Sequence, residues 1–216
     1  EASRMERIRK ALLRNSGVLV TDFDGTLTVS GSSLHAAVHV LGADSGLARG
    51  GDALYCSMGR EILDAGSAAA VSEELKARAE RWWKKQMELY VELQIPEKVL
   101  EEAAILLKPR EEAAELLRYC AGKDLPVWIV SAGLENVIRF WLRRQRISGE
   151  EIHVLANRIL YRGGRPVGYA ETVTSWNKRE RFFQRAGTYA DQYLVFLGDR
   201  EADLGWRAER AEGFLI

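Results

Sequence analysis

The sequence has little to hold it together covalently. Only two of its 216 residues are cysteine, Cys56 and Cys120. They lie far apart and lack metal-ligand spacing, which excludes a disulfide framework and a zinc-ribbon site. Both are read as free thiols of a reducing, cytoplasmic setting, with Cys120 on a helix face near the core. Net charge is also lacking: 31 Lys and Arg balance 31 Asp and Glu. Nothing global therefore draws the chain to a nucleic-acid polymer or an anionic membrane. No apolar run reaches transmembrane length, and the charged opening, residues 1–14, is no signal segment. The first residue is Glu1 rather than Met, which suggests a trimmed start, and the chain stops soon after its last motif, which leaves room for a C-terminal extension. The three histidines do not cluster. His35 and His39 stand at i, i+4, but without the Glu that a zinc-protease helix places between them, and they are read as residues of one helix. Walker-type loops, GxGxxG, internal repeats and low-complexity segments are all missing.

What remains is an ordinary globular composition, 47% apolar, long enough for one domain or for a core domain with an inserted cap. The most informative stretch runs from Val18 to Thr28. It begins as an apolar β-branched run, the mark of a strand buried on both faces. It ends in Asp22 and Asp24, two positions apart and so on one side of an extended chain. Gly25 then permits a sharp turn. Two carboxylates are thus delivered to the C-terminal end of a buried strand, where open α/β sheets bind ligands. Unpaired, they would repel each other and resist burial. A divalent cation with a preference for hard oxygen ligands, Mg2+ above all, resolves the conflict. One carboxylate can then attack phosphorus while the other exchanges a proton with the leaving group.

The periodicity places a short amphipathic helix over residues 4–14 and the first strand over 17–22. Residues 30–107 carry helical patterns and no strand signal. Ser32 and Ser33 are expected to cap a helix bearing Leu34, Val38 and Leu41. Residues 42–51 read as a glycine-rich connection, followed by a helix over about 52–63, a break at Gly66-Ser67, and a long helix capped by Ser72 that runs to about Leu93. Pro96 opens the next helix. This block is read as a helical cap inserted between residues 1–29 and 108–216. Beyond it, Pro109 to Gly122 is helical, 126–131 is a second buried strand, 134–146 a helix and 152–155 a third strand. A hairpin is expected over 158–168, a helix over 177–186, a strand over 193–197 and an edge strand over 214–216. Strands alternating with helices predict a parallel sheet.

Further chemistry sits at the ends of these elements. Ser131, Ala132 and Gly133 follow the second strand and offer a hydroxyl and free N–H groups to a phosphate. Lys178 stands near a helix start, where it can neutralise a transferring phosphoryl group. Asp199 ends the fourth strand and Asp203 follows one helical turn later; one can hold metal while the other holds Lys178 or a metal-bound water. In the helical block, one of Trp82 and Trp83 packs while the other is free to stack on a base, and Glu61 is a candidate base contact. The run Arg139, Arg143, Arg144 and Arg146 is read as a solvated helix face.

In order and placement, Asp22-Phe23-Asp24-Gly25-Thr26, Ser131, Lys178, and Gly198-Asp199 with Asp203 resemble the four motifs of the haloacid dehalogenase-like phosphohydrolases. A narrower similarity is to the cytosolic pyrimidine 5′-nucleotidase (type III) family. It rests on Val130-Ser131-Ala132-Gly133-Leu134, Ala156-Asn157-Arg158-Ile159 with Gly168-Tyr169, Asn177-Lys178, residues 198–204 and the stretch Glu80-Arg81-Trp82-Trp83, which is similar to an aromatic pair in that family's cap. The resemblance implies an α/β fold: a Rossmann-like parallel sheet with helices on both faces and a C1-type helical cap. It further implies Asp22 as nucleophile and Asp24 as general acid and then base. Mg2+ would be held by Asp22, the Asp24 carbonyl and Asp199, with Asp203 in support. Ser131, Ala132, Gly133 and Lys178 would take the phosphate, and Trp83 and Glu61 would contact substrate. The expected activity is hydrolysis of a small phosphomonoester, preferably a nucleoside 5′-monophosphate. Phosphoserine or a sugar phosphate as substrate, a phosphotransferase, and a non-catalytic phosphate- or nucleotide-binding module are the alternatives.

Overall fold

The computed structural model describes residues 3–29, 31–64, 71–204, 206 and 210–216, and at 63, 64, 201 and 202 the main chain only. Its six strands lie in the order β4-β3-β2-β1-β5-β6. They are β1 (Val18–Thr21), β2 (Val127–Leu134), β3 (Ile152–Arg162), β4 (Arg165–Ala170), β5 (Leu194–Gly198) and β6 (Ala211–Leu215). All neighbours pair in parallel except β3 and β4, which form an antiparallel hairpin at one edge.

Side-chain alternation explains why the central strands read as unbroken apolar runs. Leu19, Val127, Ile129, Val195 and Leu197 enter one core. Val18, Val20, Trp128, Val130, Leu194 and Phe196 enter the other. A strand with period two needs apolar residues at every position only when both faces are covered. The first face is covered by α1 (Arg4–Arg14), α7 (Glu111–Ala121) and α8 (Glu135–Arg144), the second by α9 (Lys178–Arg185) and the short α10 (Glu201–Leu204). Ser3 and Glu6 form the capping box that starts α1, and Gly122 closes α7.

The chain between β1 and β2 makes α2 (Ala36–Leu41), α3 (Gly46–Leu54), a π-helical turn at Tyr55–Gly59, α4 (Arg60–Asp64), α5 (Glu73–Glu92) and α6 (Glu97–Leu106) before α7. Several expectations change here. Ser33 does not cap α2; His35 holds that position, without a side-chain bond. The expected glycine-rich connection is mostly helix, begun by Ser45, whose side chain accepts the Ala48 N–H. Helix propensity argues against Gly46, Gly50 and Gly51, but packing overrides it: a Cβ at Gly50 would lie 2.9 Å from the Leu89 side chain. Ser72 caps α5 as expected, whereas the Gly66-Ser67 break lies outside the described residues.

Two strands also run longer than their apolar cores suggested. The third strand and the first arm of the hairpin are one strand, β3, because Ala156 and Ile159 stay buried through the join. Likewise β2 continues through Ser131–Gly133 to Leu134, with an irregular register against β3 after Val130. The Ser-Ala-Gly stretch is therefore a bulged strand end, which turns backbone groups out of the ladder.

Candidate active site

Strand order reverses at β1, which has β2 on one side and β5 on the other. Sheets of this kind open a crevice at the C-terminal ends of such strands, and the chemistry predicted from sequence collects there. Asp22 follows β1 directly and its N–H still donates to the Leu197 carbonyl of β5, 3.1 Å away. Phe23 is buried edge-on against Trp141, with ring centroids 5.1 Å apart. Its carbonyl accepts the N–H groups of Thr26, Leu27 and Thr28, and this tight turn brings Asp24 back beside Asp22. Gly25 has φ +81°, and a Cβ there would lie 2.5 Å from Asp199 Oδ2. The position demands glycine both for conformation and for space. Arg110, returning from the insertion, donates to the carbonyls of Gly25 (3.0 Å) and Thr26 (3.3 Å) and fixes the turn from outside.

Lys178 opens α9 and is buried. Its Nζ lies 2.8 Å from Asp22 Oδ1 and 3.2 Å from Asp203 Oδ1. Burial pulls the lysine pKa down, but the two carboxylates outweigh it and hold the ammonium above its usual range. Burial is also the main influence on Asp22, raising its pKa, with Lys178 opposing and the Asp203 charge adding to the rise. Asp22, Asp199 and Asp203 each offer a carboxylate oxygen within 4.8 Å of the others. Asp199 Oδ1 and Asp203 Oδ2 are buried without a hydrogen-bond partner. Orphaned anionic oxygens converging on one point are costly unless a cation takes them. Three hard oxygen donors suit Mg2+ or a similar divalent ion, so the residues present fit the metal that the fold implies.

The Asp24 carboxylate stands outside that cluster. Its Oδ1 accepts the Ser33 N–H at 2.8 Å and its Oδ2 the Ser33 hydroxyl at 2.9 Å. Burial, then the Asp22 charge, push its pKa up to about 7, against the pull of the two Ser33 bonds. A carboxyl in that condition can both give and take a proton near neutral pH. Beside it, Ser131 is buried, and its Oγ accepts the Gly133 N–H at 3.0 Å, which leaves the hydroxyl proton free to donate. A Cβ at Gly133 would lie 1.6 Å from Ser33 Oγ, so Gly133 is where the insertion meets the end of β2. Asn157, fully buried on β3, donates to the Ala132 carbonyl (2.7 Å) and exchanges both bonds with Val173, joining the Ser131–Gly133 stretch to the segment that leads to Lys178.

The structure thus brings together Asp22, Asp24, Ser131, Ala132, Gly133, Lys178, Asp199 and Asp203. Trp83 lies apart from them, on the insertion. With Ile62, Ala79 and Trp82, and with Thr174, Ser175, Trp176 and Arg200 from the sheet side, it lines a cleft of about 150 Å³. Trp82 is the packed member of the pair, and Trp83 meets it edge-on at 5.0 Å. Glu61 is exposed, pairs with Arg78, and is not among the residues of this cleft. Sequence reading missed Ser33, Arg110 and Trp176. A serine near a helix start reads as a cap, and nothing in its pattern signals a bond back to Asp24.

With this geometry in place, the profile of the haloacid dehalogenase-like hydrolases matches residues 19–206. The chain belongs to that family. Solved structures of the same fold include a cytosolic 5′-nucleotidase IIIB bound to cytidine, 19% identical at a TM-score of 0.67, covering 92% of this chain and 72% of that one. A substrate-bound phosphoserine phosphatase is 16% identical at a TM-score of 0.55, covering 87% and 80%. A hydrolase of the same family from Salmonella enterica serovar Typhi is 13% identical at a TM-score of 0.59, covering 96% and 68%. No curated protein sequence matches the chain. Among the described residues no helix is long and apolar enough to cross a membrane.

Proposed function

We propose that this hydrolase is a magnesium-dependent phosphomonoesterase that works through an aspartyl-phosphate and acts on a nucleoside 5′-monophosphate in the cytosol. The observation that carries the reading is the placement of Lys178 between Asp22 and Asp203, with the Asp24 carboxyl held separately at about neutral pKa. Asp22 supplies a carboxylate oxygen to phosphorus. The bond from phosphorus to the ester oxygen breaks, and Asp24 gives its proton to the departing alcohol. Asp24, now a carboxylate, takes a proton from water, whose oxygen attacks the phosphorus and releases phosphate and the free Asp22 carboxylate. Lys178, the Ser131 hydroxyl and the Ala132 N–H hold the phosphoryl oxygens, and Gly133 supports them through the bond from its N–H to Ser131 Oγ. Asp22, Asp199 and the Asp24 carbonyl, with Asp203 in support, would hold Mg2+, which supplies further charge neutralisation when bound.

In this reading residues 30–107 act as a cap on a core made of 1–29 and 108–216, and the aromatic cleft between them takes the leaving group. A cavity of roughly 150 Å³ accommodates a benzene-sized ring, so the cleft of about 150 Å³ suits a single-ring base better than a purine. The cytidine on the nucleotidase IIIB structure points the same way for that protein. Trp83 and Trp176 would face the base; Glu61 would need to leave Arg78 to reach it. The two thiols, Cys56 and Cys120, are free, which suits a reducing compartment.

The test is phosphate release from CMP, UMP, AMP, GMP, phosphoserine and a sugar phosphate, with Mg2+ and with chelator, for the parent and Asp22→Asn. Release that needs the metal, vanishes in Asp22→Asn and favours CMP or UMP is expected. Turnover that survives in Asp22→Asn would overturn the mechanism, and a preference for phosphoserine would overturn the substrate.

A further inference from the structure

Trp176, Asn177 and Lys178 are consecutive, and together they reach from the insertion to the carboxylate cluster. Trp176 packs onto the insertion's aromatic cluster of Ile62, Ala79, Trp82 and Trp83. Lys178 meets Asp22 and Asp203. Between them Asn177 is buried, and all its side-chain donors and its acceptor are used. Oδ1 accepts the Thr174 N–H (2.7 Å), while Nδ2 donates to the Thr172 carbonyl (3.0 Å) and to Glu80 Oε1 (3.1 Å) on α5. The Thr174 N–H fixes which end of the amide is oxygen, so the amide hydrogens must point at Thr172 and Glu80. Among the hydrogen bonds of the described residues, the Glu80 bond alone runs from the insertion to the 172–178 segment.

We propose that Glu80 is a positioning residue: by accepting the Asn177 amide it fixes the segment that presents Lys178, so that Lys178 is aligned on Asp22 only while α5 is docked. The proposal deepens the phosphatase reading and rests on it. Without Glu80 the Asn177 N–H loses its protein partner, and the segment loses its hydrogen bond to α5 and is free to shift. Such a shift moves the lysine that would neutralise charge on the transferring phosphoryl group, where positioning and electrostatics supply most of the catalysis. The same three residues receive the leaving group at Trp176 and the phosphoryl group at Lys178.

The experiment compares the parent with Glu80→Ala and Glu80→Gln. It measures kcat and KM on CMP with Mg2+, binding of inorganic vanadate as a mimic of the phosphoryl transition state, and amide exchange over residues 172–178. Loss of one hydrogen bond to a charged or buried group corresponds to about 5–150-fold in an equilibrium or rate. Glu80→Ala should therefore lower kcat and weaken vanadate by a common factor in that range, leave KM within about twofold, and speed exchange over 172–178. Glu80→Gln keeps a carbonyl acceptor and should restore all three. An unchanged kcat in Glu80→Ala, a loss confined to KM, or failure of Glu80→Gln to rescue would each overturn the proposal. Asp22→Asn, run alongside, separates the two claims: if it retains turnover the phosphatase reading fails, whereas slow exchange in Glu80→Ala would sink the positioning role alone.

Discussion

The carboxyl of Asp24 should make the metal-free protein less stable as pH rises. Its pKa is 3.8 in an unfolded chain and about 7 in the folded one, chiefly through burial and then the Asp22 charge. Between those values the folded state binds more protons than the unfolded state, so stability falls with rising pH across that window. The cost is absent below about pH 3.8 and complete above about pH 7. About three pKa units correspond to a ceiling of about 4 kcal/mol. Asp24 is not wholly shielded from solvent, so about 1–3 kcal/mol is a better expectation. Asp24→Asn removes the charge and keeps the shape: its carbonyl can accept the Ser33 N–H, and its amide can donate to the Ser33 hydroxyl. In chelator at pH 8, urea unfolding should show Asp24→Asn more stable than the parent by that amount. At pH 5 the gap should shrink by more than half. In a domain of this size the pH 8 difference appears as about 2–4 °C in Tm per kcal/mol. A variant no more stable than the parent at pH 8, or a gap that ignores pH, would show that Asp24 is well solvated or already neutralised by Lys178.

Three further outcomes follow from the same geometry. Mg2+ should raise the Tm of the parent, by about 2.7 kcal/mol of stability at a hundred times its Kd; Asp199→Asn, which neutralises one of the converging carboxylates, should lose most of that rise in a thermal-shift titration. Gly133→Ala would place a Cβ 1.6 Å from Ser33 Oγ and drive Ser33 off Asp24, lowering kcat at least about tenfold; Gly133→Ala with Ser33→Gly should recover Tm but not kcat. Trp176→Ala should raise KM for CMP at least about fivefold, the worth of one stacked ring, and leave glycerol phosphate turnover unchanged, since that leaving group has no ring to seat.

How much of this was legible in the sequence depends on the range of the interactions involved. The central strands declared themselves because burial on both faces leaves no polar position in 18–20, 127–130 or 194–197. Capping signals that act over a few residues also held, as at Ser72 and Gly122. The readings that changed depended on partners far away in the chain. Gly46 to Gly51 looked like a linker because intrinsic propensity disfavours glycine in helices, yet Gly50 is the spot where Leu89 needs room. The edge of β3 looked like two strands because its solvent-facing residues, Arg158 and Leu160 among them, interrupt the apolar pattern while the backbone pairing runs on.

The site divides in the same way. Asp22, Asp24, Ser131, Lys178, Asp199 and Asp203 could be picked out because each ends or opens an element at the same side of the sheet, and parallel topology turns that shared placement into proximity. Ser33 carries no such mark, and Asn157, Asn177 and Glu80 stood out only within stretches that resemble a family, with no role attached, because each acts by what it bonds across space. Yet the pattern of their bonds is not arbitrary. Ser33 and Glu80 come from the insertion, and each bonds a residue of the sheet side that either is, or adjoins, a group predicted to do chemistry: Asp24 for Ser33, and Asn177 next to Lys178 for Glu80. A helical insertion that served only to cover the crevice could pack through apolar contacts such as Trp82 on Ile62. Polar contacts that are buried and directional are costly to misplace. Their presence at both Asp24 and the residue next to Lys178 means that displacing the insertion should disturb the carboxyl and the ammonium together, which a purely apolar seam would not do.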